Sequence, residues 1–317
     1  MPLTIRPARP ADGDAVFAFC TGVWGGHDYL PRVWDEWLND PQGLLLVALR
    51  DGVPVAVARA DLSLPQEAWL EGMRVDPAHR QEGVATALFQ AQLEEVARRG
   101  VRVVRLMTVG TNWPVHRMCA RLGLERVARV RARHRDLQLG APPAAARPLD
   151  LAEWYGAQAL LLRPARRGAL SFLQATRGLY SRSGGIWTAW NEERLREHLG
   201  RGEVWVCEER GRPAALAVLS PHRRRRGAFE IGLLEGPAGA CTRLLQALAW
   251  RPELPPGEPD SPPRLRLALP AELLRLHRAA AAAGYAFLPG RRGEMWIFER
   301  VLLGSGHTVF RPGPSHR

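Results

Sequence analysis

The stretch from Met73 to Thr86 constrains this chain more than any other. Trp69 to Val75 reads as a strand, and a helix opens at Val84. The loop between them carries Arg80, Gln81, Glu82, Gly83 and Ala85 in the spacing R-x-x-G-x-A. A strand that turns into a helix this abruptly points the unpaired N–H groups of the first helical turn at whatever sits beyond the loop. The positive end of the helix dipole points the same way. Gly83 lets the backbone approach a ligand with no Cβ in between. Ala85 keeps the first turn open, and Arg80 adds charge. The arrangement suits an anion such as a phosphate.

The elements around it follow from hydrophobic spacing. Leu3 to Arg6 reads as a strand, with Asp12 as N-cap of a helix to Cys20. A second helix fits Pro31 to Asn39. Leu44 to Arg50 and Val53 to Leu62 are strands joined by the turn Asp51-Gly52. The helix from Val84 to Arg99 places Ala85, Leu88, Phe89, Leu93, Val96 and Ala97 on one face, and Gly100 stops it. Val101 to Met107 is a buried strand. Thr111-Asn112-Trp113-Pro114 opens a short helix, and Glu125 to Leu139 reads as a last antiparallel pair.

A second copy is read after a linker at 141–159, by its order of echoes. Leu3-Thr-Ile-Arg-Pro-Ala-Arg9 returns as Leu160-Leu-Leu-Arg-Pro-Ala-Arg166, Asp51-Gly-Val-Pro54 as Arg210-Gly-Arg-Pro213, and Arg121-Leu-Gly-Leu124 as Ala282-Ala-Gly-Tyr285. The copy lacks the loop: its counterpart is Leu234-Glu-Gly-Pro-Ala-Gly-Ala-Cys241. There Pro237 removes a donor and Glu235 adds a charge that repels an anion. The expected plan is a first domain at 1–140, a degenerate copy at 160–303 and a disordered tail at 304–317.

Composition adds little that is specific. The net charge is +12 with no lysine, so the basic residues other than histidine are all arginine. Ala, Arg, Gly and Pro bias suggests a GC-rich genome, which weakens any functional reading of the charge. The run Arg223 to Arg226 reads as a solvated turn, since no aromatics are interleaved for base stacking. No apolar run reaches the ~18 residues of a membrane span, and no leader is read before the first strand. The four cysteines are scattered, which fits reduced thiols in a cytoplasm and no metal site.

The loop, written Val75-x-x-x-x-Arg80-x-x-Gly83-x-Ala85, resembles the acyl-CoA pyrophosphate loop of the GNAT acetyltransferases. A second stretch, Asn112-Trp-Pro-Val115-His-Arg-Met-Cys119-Ala-Arg121, is similar to that family's N-x-x-A-x-x-x-Y motif, with Cys119 where the family has Tyr. The resemblance implies an α/β fold of two tandem GNAT copies, each a mixed, mostly antiparallel sheet flanked by helices. It implies acetyl-CoA as co-substrate. Met73, Arg74 and Val75 would run along its pantetheine arm, with Gln81, Glu82, Val84 and Thr86 in the loop and Asn112, Val115 and Arg121 on the short helix. The tandem plan is similar to that of the mycothiol synthases, although there the C-terminal copy is the one implied to be active.

Acetyl transfer needs a base for the acceptor amine and, in many members, an acid for the thiolate. Glu71 is the expected base. By strand alternation it shares a face with Met73 and Val75. Asp61, Glu67 and His116 are weaker candidates, and His79 is read as solvated. Cys119 is either the acid or a buried filler. The partners expected are a small-molecule or peptide amine acceptor, no membrane, no nucleic acid, and a monomer or homodimer. A non-catalytic acyl-CoA sensor and a basic RNA- or ribosome-associated module are the other readings.

Overall fold

The computed structural model describes residues 3–22, 28–142, 146–162, 170–223, 225, 227–251, 263–287 and 293–302. The echo at Arg163-Pro-Ala-Arg166, parts of the Arg223 to Arg226 run, the Pro-rich stretch after Arg251 and the expected tail lie outside the described residues. Contacts divide the chain into two compact units, Met1–Val104 with Arg300–Arg317, and Arg105–Glu299.

In the first unit, β1 (Thr4–Pro7), β2 (Gly43–Arg50), β3 (Val53–Leu64) and β4 (Glu67–Val75) pair antiparallel in that order. α1 (Gly13–Cys20) and α2 (Leu30–Leu38) set Val16, Phe19, Leu30, Trp34 and Trp37 in one cluster with Leu45, Val47, Leu49 and Val57. Leu44, Leu46 and Ala48 are buried as well, outside that cluster. Burial on both faces is why β2 is an unbroken apolar run. α3 (Val84–Arg98) buries the stripe Val84, Leu88, Phe89, Leu93 and Val96. Asp12 does not cap α1 through its side chain. Its carboxylate is taken by Arg6 at 2.7 and 2.8 Å and by the Arg9 N–H. β5 (Val103–Val109) starts in this unit and continues into the second.

The second unit continues with α4 (Trp113–Arg121), β6 (Glu125–Asp136), β7 (Gln138–Leu139), β8 (Arg147–Pro148), α5 (Trp154–Leu162), α6 (Phe172–Ala175), β9 (Leu179–Ser183), β10 (Ile186–Ala189) and α7 (Glu192–Gly200). It ends with β11 (Val204–Glu209), β12 (Arg212–Pro221), β13 (Ala228–Glu235), α8 (Ala238–Leu248), β14 (Trp250–Arg251), β15 (Arg264–Pro270), α9 (Leu274–Ala282), β16 (Ala286–Phe287) and β17 (Met295–Val301). Its main sheet runs β8, β11, β12, β13, β15, β6, β17, antiparallel except where β13 meets β15.

Strand β6 corrects the expected antiparallel pair. Glu125 to Asp136 is one strand, because nothing in it can turn, and its partners come from far along the chain. β15 lies on one side, and β17 and the short β16 on the other, β16 opposite His134 and Arg133. β17 also lines the second-unit part of β5, where Arg105 Nε bonds Glu299 Oε2 at 2.7 Å. Contacts therefore divide at 104 and 299 and not at the expected linker. The arginines of β6 have local uses. Arg133 and Arg135 donate to the carbonyls of Tyr285 and Ala283 at and after the C-terminal end of α9, the negative end of its dipole.

Each unit has a bulge built on a glycine. Gly72 of β4 has φ +69°, and the register slips there against β3. In β13 the slip falls at Gly232, where a Cβ would stand 1.6 Å from the Ser181 carbonyl oxygen. The Glu71-Gly72 and Ile231-Gly232 pairs are an echo that sequence reading missed. A glycine inside a strand was the available signal.

Candidate active site

The loop after β4 has the form its sequence predicts. Gly83 is the N-cap of α3 at φ +80°, and a Cβ there would meet nothing within 4 Å. No side chain caps the helix, so the first-turn N–H groups remain for a ligand. Gln81 also holds a positive φ, +66°. Arg80, Gln81, Glu82 and Gly83 are exposed, Ala85 and Thr86 half-buried, and Val84 is anchored in the core. Glu82 would oppose an anion. Its carboxylate is matched by Arg50 at 2.9 Å and lies 3.4 Å from His79. Arg50, at the end of β2, is a loop residue that sequence spacing did not reveal.

Glu71 does not share a face with Met73 and Val75. Val57 faces Arg74 and Arg59 faces Glu71, two residues on β3 against three on β4. The bulge at Gly72 inserts the extra residue and reverses the alternation. Glu71 therefore lies on the face of Val57, Arg59 and Arg74, toward the α1–α2 cluster, while Val75 pairs with Ala56.

On that face a line of charges and rings is assembled. Arg59 has no exposed surface. Its Nη1 donates to Glu71 Oε1 at 2.5 Å and Asp61 Oδ2 at 3.3 Å, and its Nη2 to Asp40 Oδ2. Its guanidinium lies 5.1 Å from the Trp37 ring centre, and Tyr29 meets Trp37 edge-on. Arg74 lies over Tyr29 and holds Asp28 through Nε at 2.7 Å and Nη2 at 3.0 Å. Burial pushes the Asp28 carboxyl up, but the Arg74 and Leu30 N–H bonds outweigh it and hold it below the usual range. Burial and the nearby Asp28 push the Cys20 thiol up to about 12. Asp61, a weaker candidate, is thus part of the Glu71 cluster; Glu67, at the start of β4, is half-buried.

In the second unit, α4 carries the other motif. Asn112 turns its side-chain amide to Thr108 Oγ1 at 2.9 Å instead of capping the helix. Val115 is half-buried and Arg121 exposed in the last turn. Cys119 has no exposed surface, and burial pushes its thiol up to about 12. His116 is not a surface residue. Its ring stacks on Trp296 of β17 at 4.4 Å and its Nε2 lies 3.2 Å from the Val109 carbonyl oxygen. Burial holds its imidazole below the ordinary value.

The loop at Glu235, expected as the counterpart in a second copy, is held by its own residues. The buried Glu235 carboxylate accepts from the N–H of Phe172 at 2.6 Å and of Gly236 at 3.1 Å. Arg275 pairs with it at 3.0 Å and donates to the Gly236 carbonyl. The charge of Glu235 is compensated by Arg275, which lies on α9 and is remote in sequence.

These features can be set beside known proteins. Residues 15–124 match the Acetyltransferase (GNAT) family. Over these residues the chain is similar to that family. A human protein described as "Probable N-acetyltransferase 16" is 35% identical over 108 residues, 33% of this chain and 29% of that protein. A histidine N-acetyltransferase of Xenopus tropicalis is 31% identical over 121 residues, 33% of this chain and 37% of that protein. The matched stretch thus spans about a third of the length of these curated relatives. A tandem GNAT protein from the clavulanic acid biosynthesis pathway aligns with 96% of this chain and 100% of its own, with TM-score 0.52 and 14% identity. That likeness is one of fold. Among the described residues, no helix is long and apolar enough to cross a membrane.

Proposed function

We propose that this chain transfers an acetyl group from acetyl-CoA to a primary amine, with the GNAT domain as the active half. The observation that carries the reading is the mouth of α3. An uncapped helix N-terminus, a glycine N-cap with open space in front of it and Arg80 beside it fit a pyrophosphate. Bound acetyl-CoA supplies the acetyl group as a thioester, open to attack by a neutral amine and with a thiolate that leaves readily. Met73 to Thr86 hold its anionic arm. Glu71 takes the proton that the amine nitrogen must shed as the C–N bond forms and the C–S bond breaks. Cys119, buried and with a raised thiol, belongs to the packing of α4, and the thiolate leaves without it.

The acceptor follows from the relatives only as a class. Two proteins of similar sequence are described as N-acetyltransferases, one of them as a histidine N-acetyltransferase. An amino-acid amine is therefore the first acceptor to test. CoA release is measured with acetyl-CoA and L-histidine, other amino acids, polyamines, aminoglycosides and peptides with free N-termini. Turnover with at least one amine is expected. Tight acetyl-CoA binding with no turnover on any of them would favour the sensor reading, and absence of binding would refute both.

A further inference from the structure

We infer that Arg59 is the positioning residue of this site, fixing the Glu71 carboxylate that receives the acceptor's proton; the inference rests on the reading of Glu71 as that base. Glu71 and Arg59 are directly opposite in the β3–β4 register. That register exists only because Gly72 supplies the extra residue of the bulge. The face on which Glu71 stands is thus set by the backbone, and its direction on that face by one guanidinium.

Arg59 is suited to this role by its fork. It reaches three carboxylates from three elements: Asp40 from the turn before β2, Asp61 from β3 itself and Glu71 from β4. Their side chains are 21%, 2% and 9% exposed, and Arg59's is 0%. Asp61 and Glu71 share Nη1, while Asp40 takes Nη2 and accepts the Gln42 N–H with its other oxygen. Trp37 backs the guanidinium, so the fork has no room to swing. An ammonium on a flexible stem cannot hold three carboxylates from one point in this way. The fork gathers Arg59, Asp61 and Asp40 beside Glu71. The Arg74–Asp28 pair lies on the same face, with its charges already matched.

With the fork lost and the two aspartates kept beside Glu71, the acid limb of the rate profile should move up. A residue that only supports the fold would change stability and leave that limb in place.

The test uses four forms of the full chain: parent, Arg59→Lys, Glu71→Gln and the double variant, each checked for a native circular dichroism melt. Rates are taken from pH 6 to 10 with acetyl-CoA and the fastest amine of the panel above. The Glu71 carboxylate is followed by 13C NMR of glutamate-labelled protein, its signal assigned by its loss in Glu71→Gln. Arg59→Lys should lower kcat about tenfold, with KM for acetyl-CoA changed less than about twofold, and raise the acid limb by about one pH unit. In the Glu71→Gln background the same change should cost less than about twofold, since the partner it acts through is gone. An equal loss in both backgrounds, or an NMR titration of Glu71 unmoved by Arg59→Lys, overturns the inference. Full activity of Glu71→Gln at every pH overturns the base reading itself, a separate outcome. Should Arg59→Lys lose its fold, Asp61→Asn reads the same cluster. It frees Nη1 for Glu71 and should move the limb to lower pH, and an unmoved limb counts against the proposal.

Discussion

Replacing Gly72 by alanine tests the bulge on which the site depends. Two costs fall on the new Cβ. At φ +69° an L-residue is in left-handed space, a penalty of about 1–2 kcal/mol. The Cβ would also stand 2.6 and 2.7 Å from the Cζ3 and Cη2 atoms of Trp37. Ordinary carbon contacts are about 3.5–4.0 Å, and Trp37 is 1% exposed, so its ring has little room to retreat. Overpacking of this kind costs about 1–3 kcal/mol. Gly72→Ala should therefore destabilise β4 by about 2–5 kcal/mol. Gly83→Ala is the internal control. Its φ of +80° carries the same backbone penalty, and its Cβ meets open space, so about 1–2 kcal/mol is expected. Hydrogen exchange of the β4 amides, read by mass spectrometry, reports the opening free energy of that strand. The two variants should also differ in function. Gly83→Ala should weaken CoA binding at a stable fold. Gly72→Ala should keep CoA and lose turnover, because relief of the clash removes the extra residue and turns Glu71 to the other face. A Gly72→Ala protein within ~0.5 kcal/mol of Gly83→Ala, and as active as the parent, would refute the packing argument.

Three further outcomes are expected. Arg80→Ala with Gly83→Glu should abolish CoA binding in calorimetry without unfolding the chain, and titration of the parent should saturate at one equivalent, because Glu235 and Arg275 close the second loop. Cys119→Ala should lower stability by about 1–2 kcal/mol and kcat by less than about threefold, and a loss of a hundredfold would return the thiol to the chemistry. Asp12 and Asp28 have folded-state carboxyls held below the ordinary value, by bonds from Arg6 and, against burial, from Arg74. Their stabilisation is present above the unfolded value of about 4 and is lost as pH falls beneath it, so acid unfolding followed by circular dichroism should steepen there and flatten in Asp28→Asn.

The turn from strand to helix after β4 was legible because its signals are local. Strand, Arg80, Gly83 and helix start are adjacent in the chain, and each has a backbone reason to be there. The Arg59 cluster was not legible. Asp40 precedes β2, Arg59 and Asp61 are on β3 and Glu71 is on β4, and only the slipped register brings Glu71 opposite Arg59. Alternation counted through Gly72 gave the wrong face for the same reason. The Glu235 loop was read as unsuited to an anion from its own residues, and its partner Arg275 could not be found from spacing, since the pair spans from the end of β13 to α9. The second unit's division was hidden most deeply. Apolar pattern marks the stretch of β6 as extended and says nothing about which partners it will choose.

The pairing of β17 with β6 sets an order of events during synthesis. The ribosome finishes β6 at Asp136 and does not begin β17 until Met295. At about 5–20 residues per second, that interval is on the order of ten seconds or more. Throughout it, one edge of β6 and the adjoining edge of β5 have no strand beside them. The nascent first half must therefore wait with an unfinished sheet, open to any extended segment that passes. The arginines along β6, which keep charge on that edge, are what the waiting chain has to discourage a wrong partner.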